Sequence, residues 1–245
     1  MGSSQSEFYV PSIDFTQPAL SEARSKYEIT VKLFFLRGAT TSERRQQARE
    51  AIALVLKQLR MPSVDLLIIS FPGISYDTTN QGCTDAVFGA TKDDAPAESL
   101  DSMLETWRSV EQLQREGLVL KLGIAEFCEE KLQKLLPHIE IRPSVDQINL
   151  KDICLAPKAL LDYTKQESIE VWTHSDCTNI LPSGTLRELL GTGESGAGLV
   201  LGPKDSGEGL RGDIRPQWVV KYTAIVRDRG VIEDKGYFAV AHIDD

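Results

Sequence analysis

The sequence predicts an α/β protein whose parallel sheet is wound as a (β/α)8 barrel. Three observations lead there. Apolar runs at residues 29–36, 64–71, 117–127, 144–150 and 169–174 have the length and β-branched content of buried strands. Between them lie segments with helical periodicity, so consecutive strands must share one polarity and be joined by right-handed crossovers. None of these runs leads directly into a G-x-G-x-x-G, so the dinucleotide fingerprint of the open doubly wound sheet is not in place, which favours the barrel.

Residues 7–13 suggest a short strand, weakened by Pro11. Residues 29–36 (ITVKLFFL) are a far better one. Thr41 and Ser42 are expected to cap the next helix, whose stripe is Ala48, Ala51, Ile52, Val55, Leu56 and Leu59, with Pro62 as its stop. Residues 64–71 form the second strand. Residues 73–97 have no hydrophobic period and read as a long loop on the carboxyl side of that strand. A helical stripe returns through Leu100, Met103, Leu104, Trp107 and Val110. It leads into 117–127 (GLVLKLGIAEF), an apolar run bounded by Gly117 and Gly123, whose carboxyl end is where barrels meet ligands. A short helix through Leu132, Leu135 and Leu136 follows, then a strand at 144–150, a helix opened by Pro157, and a strand at 169–174. Residues 191–213 hold eight glycines without the G-x-x-x-x-G-K-[ST] spacing, so they are expected as loop and not as a phosphate cradle. Trp218, Val219, Tyr222, Ile225 and Val226 line up as one helical face, and residues 231–232 and 237–243 read as extended.

Composition narrows the function. A net charge of −9 argues against a nucleic-acid backbone or an anionic membrane surface as partner. No apolar run approaches the ~18 residues of a membrane span. Cys83, Cys128, Cys154 and Cys177 are scattered, without C-x-x-C or His at zinc spacing, so reduced thiols in a cytoplasmic protein are expected and no metal site. The start, residues 1–6, lacks the apolar core of a signal peptide; Gly2 with Ser6 fits the loose myristoylation pattern, but a disordered polar segment is the simpler expectation.

The order of several motifs resembles the aldo-keto reductases, which are (β/α)8 barrels. Residues 31–34 are similar to that family's S-K-L-W, 65–72 (DLLIISFP) to its strand ending in His-Trp-Pro, 115–127 to its E-G-x-V-x-x-I-G-x-S-N-F, and 144–150 to its V-N-Q-V segment. The resemblance covers roughly residues 29–240 and implies a barrel domain at 29–245, incomplete at its N-terminal strands, behind a partial or poorly ordered segment at 1–28. It also implies hydride transfer from NADPH by a Tyr assisted by Lys, Asp and His. By position Lys32 matches the Lys, and Ser70 replaces the His. Tyr9 and Asp14 are the nearest stand-ins for the Tyr and Asp, in inverted order and too close to Lys32. The Ser-Asn that holds the nicotinamide carboxamide is Ala125-Glu126, and the Asn of N-Q is Asp146, while Gln147 remains. His174 stands where an aromatic Tyr stacks, and Lys235 alone echoes the phosphate-clamping P-K-S.

A reductase-like barrel without its acid points to a narrower family. Residues 221–237 (KYTAIVRDRGVIEDKGY) resemble the C-terminus of glutamate–cysteine ligase regulatory (modifier) subunits. So do residues 31–34, residues 146–150 with Cys154 and Pro157 behind them, and residues 172–176. The resemblance implies a non-catalytic protein without cofactor or metal. It would form a heterodimer with the ligase catalytic subunit, lowering the glutamate requirement and relieving glutathione feedback. Arg227, Arg229, Lys235, Tyr237 and Cys154 are the candidate partner-binding residues. The bland reading makes the three cations solvated charges near a helix end and Cys154 a small core residue. The alternatives are a divergent NADPH-dependent aldo-keto reductase, or a relict sensor in which Lys32, Gln147 and Lys235 hold a dinucleotide without chemistry.

Overall fold

The computed structural model describes residues 8–17, 19–77, 82–84, 98–150, 153–177, 179–202 and 205–244. Residues 8–13 form no strand. The chain enters its sheet with β1 (Tyr27–Phe35). Helix α1 (Thr41–Leu59) is capped one residue earlier than its sequence suggests: the Thr40 side chain accepts from the Glu43 amide and Glu43 accepts from the Thr40 amide, a reciprocal capping box. The helix ends where Arg60 turns left-handed, and it buries the predicted Ala48, Ala51, Ile52, Val55 and Leu59. Strand β2 (Val64–Ser70) follows. The expected loop at 73–97 opens with a small antiparallel pair, β3 (Ser75–Asp77) and β4 (Gly82–Thr84), while its remainder lies outside the described residues, as do Gly2 and Ser6.

Helix α2 (Leu100–Arg115) is capped by Ser99 and closed by Gly117, whose positive φ reverses the chain into β5 (Val119–Ala125). Trp107, wholly buried, donates its indole N–H to the Ile141 carbonyl at 2.9 Å. Glu111, also buried, accepts from the amides of Glu140 and Ile141, both at 2.9 Å, and so fixes the approach to the next strand. Helix α3 (Glu129–Leu135), β6 (Val145–Ile148), α4 (Lys158–Gln166) and β7 (Glu170–Thr173) complete the alternation. A short α5 (Thr185–Leu190) and the glycine-rich stretch then lead to a long hairpin, β8 (Asp213–Val226) and β9 (Val231–Asp244).

The sheet order is β7-β6-β5-β2-β1-β8-β9. The first five of these are parallel and each lies beside its predecessor among them, the singly wound order of a barrel. The sheet is not closed. Where further barrel strands would flank β1, β8 pairs antiparallel along its whole length, from Tyr27↔Val226 to Phe35↔Trp218. That edge of β1 is therefore covered by the hairpin.

This corrects the helical face expected at 218–226. Its spacing is shared by a strand, because Trp218, Val220, Tyr222, Ala224 and Val226 alternate onto one buried face. The unpaired edge of β1 settles the choice. Gly236 on β9 makes room for the Tyr222 ring, since a Cβ there would lie 2.8 Å from its hydroxyl oxygen. At the hairpin's lower end Asp65 accepts from Arg24 (2.6 Å), Arg227 (2.5 Å) and the Ile29 amide (2.7 Å), joining β2, β1 and β8.

One face of the sheet (Ile29, Val31, Leu33, Leu67, Ile69, Leu122, Ile124, Ile148) packs into the main core, with the buried sides of α1 to α4. The other face carries Thr30, Lys32, Leu66, Ile68, Lys121, Val145, Gln147, Glu170 and Trp172 in register across the strands. Gly123 allows the close approach of β2 and β6 to β5: a Cβ would meet Ile68 at 3.1 Å and the Val145 carbonyl at 3.2 Å. Cys128, expected as a reduced thiol, is disulfide-bonded. Spacing along the chain carries no information about which sulfurs the fold brings together. Cys154 is exposed, against the buried reading, and Cys177 is an exposed free thiol. No helix among the described residues is long and apolar enough to cross a membrane.

Candidate functional site

The carboxyl ends of the parallel strands converge on one ionic network. Lys32 is the single charged side chain of β1 on the inner face near its end, and its ammonium meets Asp176 Oδ2 at 2.9 Å. Asp176 lies three residues beyond β7, and its other oxygen receives Lys221 of β8 at 2.7 Å. Both Lys32 and Asp176 have side chains about nineteen-twentieths buried, at 5% and 6% exposure. Burial pulls the Lys32 ammonium down from the ordinary lysine value, and Asp176 opposes that without cancelling it. Burial would push the Asp176 carboxyl up, but the two lysines hold it below its usual value.

His174 connects this pair to the end of β5. Its Nδ1 lies 3.1 Å from the Asp176 amide and 3.3 Å from Asp176 Oδ2, and its Nε2 is hydrogen-bonded to Glu126 Oε1. Glu126 adopts φ 68°, a left-handed conformation uncommon for a residue with a side chain. Its amide donates to the Gln147 carbonyl at 3.0 Å, and its Oε2 accepts from the Tyr76 amide at 2.7 Å. Behind it, Asp146 has no exposed surface. Its Oδ1 accepts a long bond of 3.4 Å from the Phe127 amide, and Oδ2 has no partner. Desolvation raises this carboxyl well above its usual range, reinforced by the negative charge of Glu126, so it is protonated where ordinary carboxyls are not. Gln147 Oε1 is likewise buried and unpartnered.

A cavity of about 120 Å³ opens on this network, lined by Thr30, Lys32, Ile68, Gln147, Asp176, Lys221 and Thr223. A larger cleft of about 410 Å³ lies on the same face towards the strands' amino ends, beside Leu66, Lys121, Val145, Glu170, Trp172 and Arg227. Among the described residues, no group of three or more His, Cys, Asp or Glu is placed to hold a metal ion.

The residues singled out in the sequence separate into groups. Lys32, Glu126, Asp146, Gln147 and His174 come together. Tyr9 does not join them: its ring stands edge-on to Phe15 at 5.1 Å and under Lys57 of α1. Asp14 is engaged with Thr16 in an exposed turn. Ser70 ends β2 opposite Phe34. Lys235 is exposed on β9, opposite Thr223, and is absent from the cavity lining. Arg227 and Arg229 lie in a hairpin turn and not near a helix end; the first binds Asp65 and the Tyr27 carbonyl, the second Glu22 at 2.7 Å. Tyr237 is 56% exposed, with Lys221 over its ring at 5.7 Å. Cys154 lies elsewhere, in a 3-10 turn before α4.

Asp176 and Lys221 were not singled out as site residues. Their signals were a carboxylate just past a strand end and one cation inside the apolar run 218–226.

These residues do not fit a nicotinamide carboxamide. Glu126 occupies one position of the family's binding pair, and both its oxygens are already engaged. Asp146 occupies another and has no surface to present. The His174 ring is fixed by hydrogen bonds at Nδ1 and Nε2.

A sequence model of the aldo/keto reductase family matches residues 5–189. Among curated proteins, the chain is 28% identical over 222 residues to a putative glutamate–cysteine ligase regulatory subunit of Schizosaccharomyces pombe, covering 89% of this chain and 72% of that one. It is 23% identical over 221 residues to the human glutamate–cysteine ligase regulatory subunit, covering 90% and 68%. An NADPH-dependent D-xylose reductase of Candida boidinii is 32% identical over 125 residues, covering 51% and 39%. Of solved structures, an aldo/keto reductase from Brucella melitensis aligns with a TM-score of 0.44 at 22% identity, over 69% of this chain and 54% of that one. The chain thus spans about half the length of that solved reductase. With a family match over residues 5–189, well over half of its length, this protein belongs to the aldo/keto reductase family.

Proposed function

We propose that this chain is a non-catalytic regulatory subunit of a cytoplasmic glutamate–cysteine ligase, binding the catalytic subunit as a heterodimer and tuning its glutamate requirement and its inhibition by glutathione. The observation that carries this reading is the extent of the likeness. Proteins named as regulatory subunits match about nine tenths of the chain, whereas the xylose reductase matches about half. The site supports the same reading. The lysine that would assist hydride transfer is ion-paired to Asp176, no tyrosine stands beside it in the cavity lining, and the carboxamide-holding positions are an engaged Glu126 and an enclosed Asp146. Loss of a positioned general acid alone lowers rates by ~10²–10⁴-fold.

The test is co-purification with the catalytic subunit, followed by glutamate titration of ligase activity with and without this chain. A complex with a lower glutamate requirement is expected; no complex and an unchanged requirement would sink the reading. The hairpin, with Arg227, Arg229, Lys235 and Tyr237, is the proposed contact, and Cys154 a second one. Because Arg227 and Arg229 also tie the hairpin to the rest of the fold, Tyr237 is the cleaner probe. The second reading, a divergent NADPH-dependent reductase, draws on the xylose reductase likeness and the retained Lys32 and Gln147. Saturable quenching of protein fluorescence by NADPH, with turnover of an aldehyde, would favour it.

A further inference from the structure

We propose that Lys32 is a reactive amine that forms a reversible imine with small aldehydes entering the cavity between β1, β6 and β8. The strand register carries the argument. Lys32 stands directly opposite Lys221 across the antiparallel ladder, and Thr30 stands opposite Thr223 two residues earlier, so both pairs share one face. Like charges placed directly opposite each other disfavour one another. Asp176 relieves the lysine pair, taking Lys32 on Oδ2 at 2.9 Å and Lys221 on Oδ1 at 2.7 Å. The two amines are not equivalent. Lys221 keeps 35% of its side chain in solvent and Lys32 only 5%, so water supports the first ammonium and hardly the second. Burial would lower Lys221 too, but Asp176 holds it above the ordinary lysine value. Burial lowers Lys32 past what Asp176 restores, and the charge of Lys221 adds to the fall. A desolvated lysine beside a second cation is a way to keep an amine nucleophilic.

The charges stay even when Lys32 gives up its proton. Two cations, Lys32 and Lys221, face two anions, Asp176 and Glu126, while the enclosed Asp146 is raised by desolvation. Asp176 Oδ2 lies 2.9 Å from the Lys32 nitrogen and 3.3 Å from His174 Nδ1, so the proton passes across it to the imidazole. There it sits between Asp176 and Glu126, the two anions. The neutral amine then attacks the carbonyl carbon, a C–N bond forms, and the carbonyl oxygen leaves as water with the two amine hydrogens. The proton held on His174 returns to the imine nitrogen, and the iminium takes the place of the ammonium beside Asp176. Hydrolysis reverses each step, and no oxidant or reductant is consumed. The Thr30 and Thr223 hydroxyls are donors for the carbonyl oxygen, and Ile68 is an apolar wall for a short alkyl chain. About 120 Å³, well short of the ~300 Å³ at which pockets for drug-sized ligands begin, restricts the aldehyde to a few unbranched carbons. This inference rests on the cavity alone and does not depend on the subunit reading.

Incubation of the purified chain with propanal and cyanoborohydride, without any nicotinamide cofactor, tests it. The reductant traps each imine as an N-propyl lysine, which peptide mass mapping locates. Lys32 should be labelled several-fold faster than the exposed Lys121 and Lys235, and its rate should level off with propanal concentration while theirs rise linearly. The branched 2,2-dimethylpropanal should label the exposed lysines and spare Lys32. Lys221→Met leaves Asp176 to Lys32 alone, so it should slow labelling of Lys32 and leave Lys121 unchanged, with circular dichroism confirming the fold. Labelling of Lys32 no faster than Lys121, a linear response to propanal, equal labelling by the branched aldehyde, or an unchanged rate in folded Lys221→Met would overturn it.

Discussion

Asp146 offers the sharpest test of how this core is charged. Its carboxyl is enclosed, lacks a partner at Oδ2, and is raised by desolvation well above the 3.8 of a free aspartate. In the unfolded chain it ionises near that value. Between there and its raised folded value, the native state holds a proton that the unfolded state has lost. Stability therefore falls as pH rises through this window, by about 1.4 kcal/mol per pH unit while the folded group stays protonated. Asparagine has nearly the same shape and no proton to lose. Above the free aspartate value, Asp146→Asn should therefore gain on the parent as pH rises, until the folded carboxyl itself ionises. At roughly 2–4 °C per kcal/mol for a chain of this size, each pH unit within that window should lift the variant's melting temperature over the parent's by about 3–5 °C, with the two converging near pH 4. Differential scanning calorimetry across that range reads the effect directly. A parent that is the more stable at pH 6, or a difference that ignores pH, would mean that Asp146 is ionised in the fold with Lys32 as its counter-ion, and the reasoning would fail.

Further outcomes follow from other contacts. Glu111→Ala removes the acceptor of two partly buried amides, those of Glu140 and Ile141, and should destabilise by about 1–2 kcal/mol in urea unfolding, whereas Glu111→Gln, which keeps an acceptor, should lose less. Gly236→Ala drives a methyl into the Tyr222 ring, which stacks on Phe238 at 5.9 Å, and should cost about 1–3 kcal/mol by the same measurement. Tyr237→Ala leaves an exposed position on β9, so its melting temperature should match the parent's. If the hairpin is the subunit contact, that variant should lose about tenfold or more in affinity for the ligase catalytic subunit in a pull-down titration.

Much of this architecture was legible because burial writes itself into spacing. Ile29 to Leu33, Leu67 to Ile69 and Leu122 to Ile124 are runs that only a sheet covered by helices would bury. The α1 stripe fell on the predicted residues for the same reason. The hairpin was misread because Trp218, Val219, Tyr222, Ile225 and Val226 satisfy a helical period as well as a strand's. The preference for a strand lies in β1, whose pairing residues are some two hundred positions away, as in Tyr27↔Val226. The site divides similarly. Lys32, Glu126 and Gln147 could be placed by their motifs, but Asp176 acquires its role only from a lysine 144 residues distant in the chain. Cys128 could not be assigned from spacing, which is blind to proximity in space.

The antiparallel cover on β1 also sets a schedule for biosynthesis. The first strand of the sheet to leave the ribosome needs a strand some two hundred residues later as its neighbour, so β1 waits with an open ladder on that side until the hairpin has emerged. A nascent chain is thus exposed for longest at an apolar, β-branched segment, the kind that recruits chaperones or pairs wrongly with another copy. Truncation of the chain before Asp213 should yield insoluble product even though every described helix and the parallel strands are retained, and the soluble fraction should return only when the hairpin is restored.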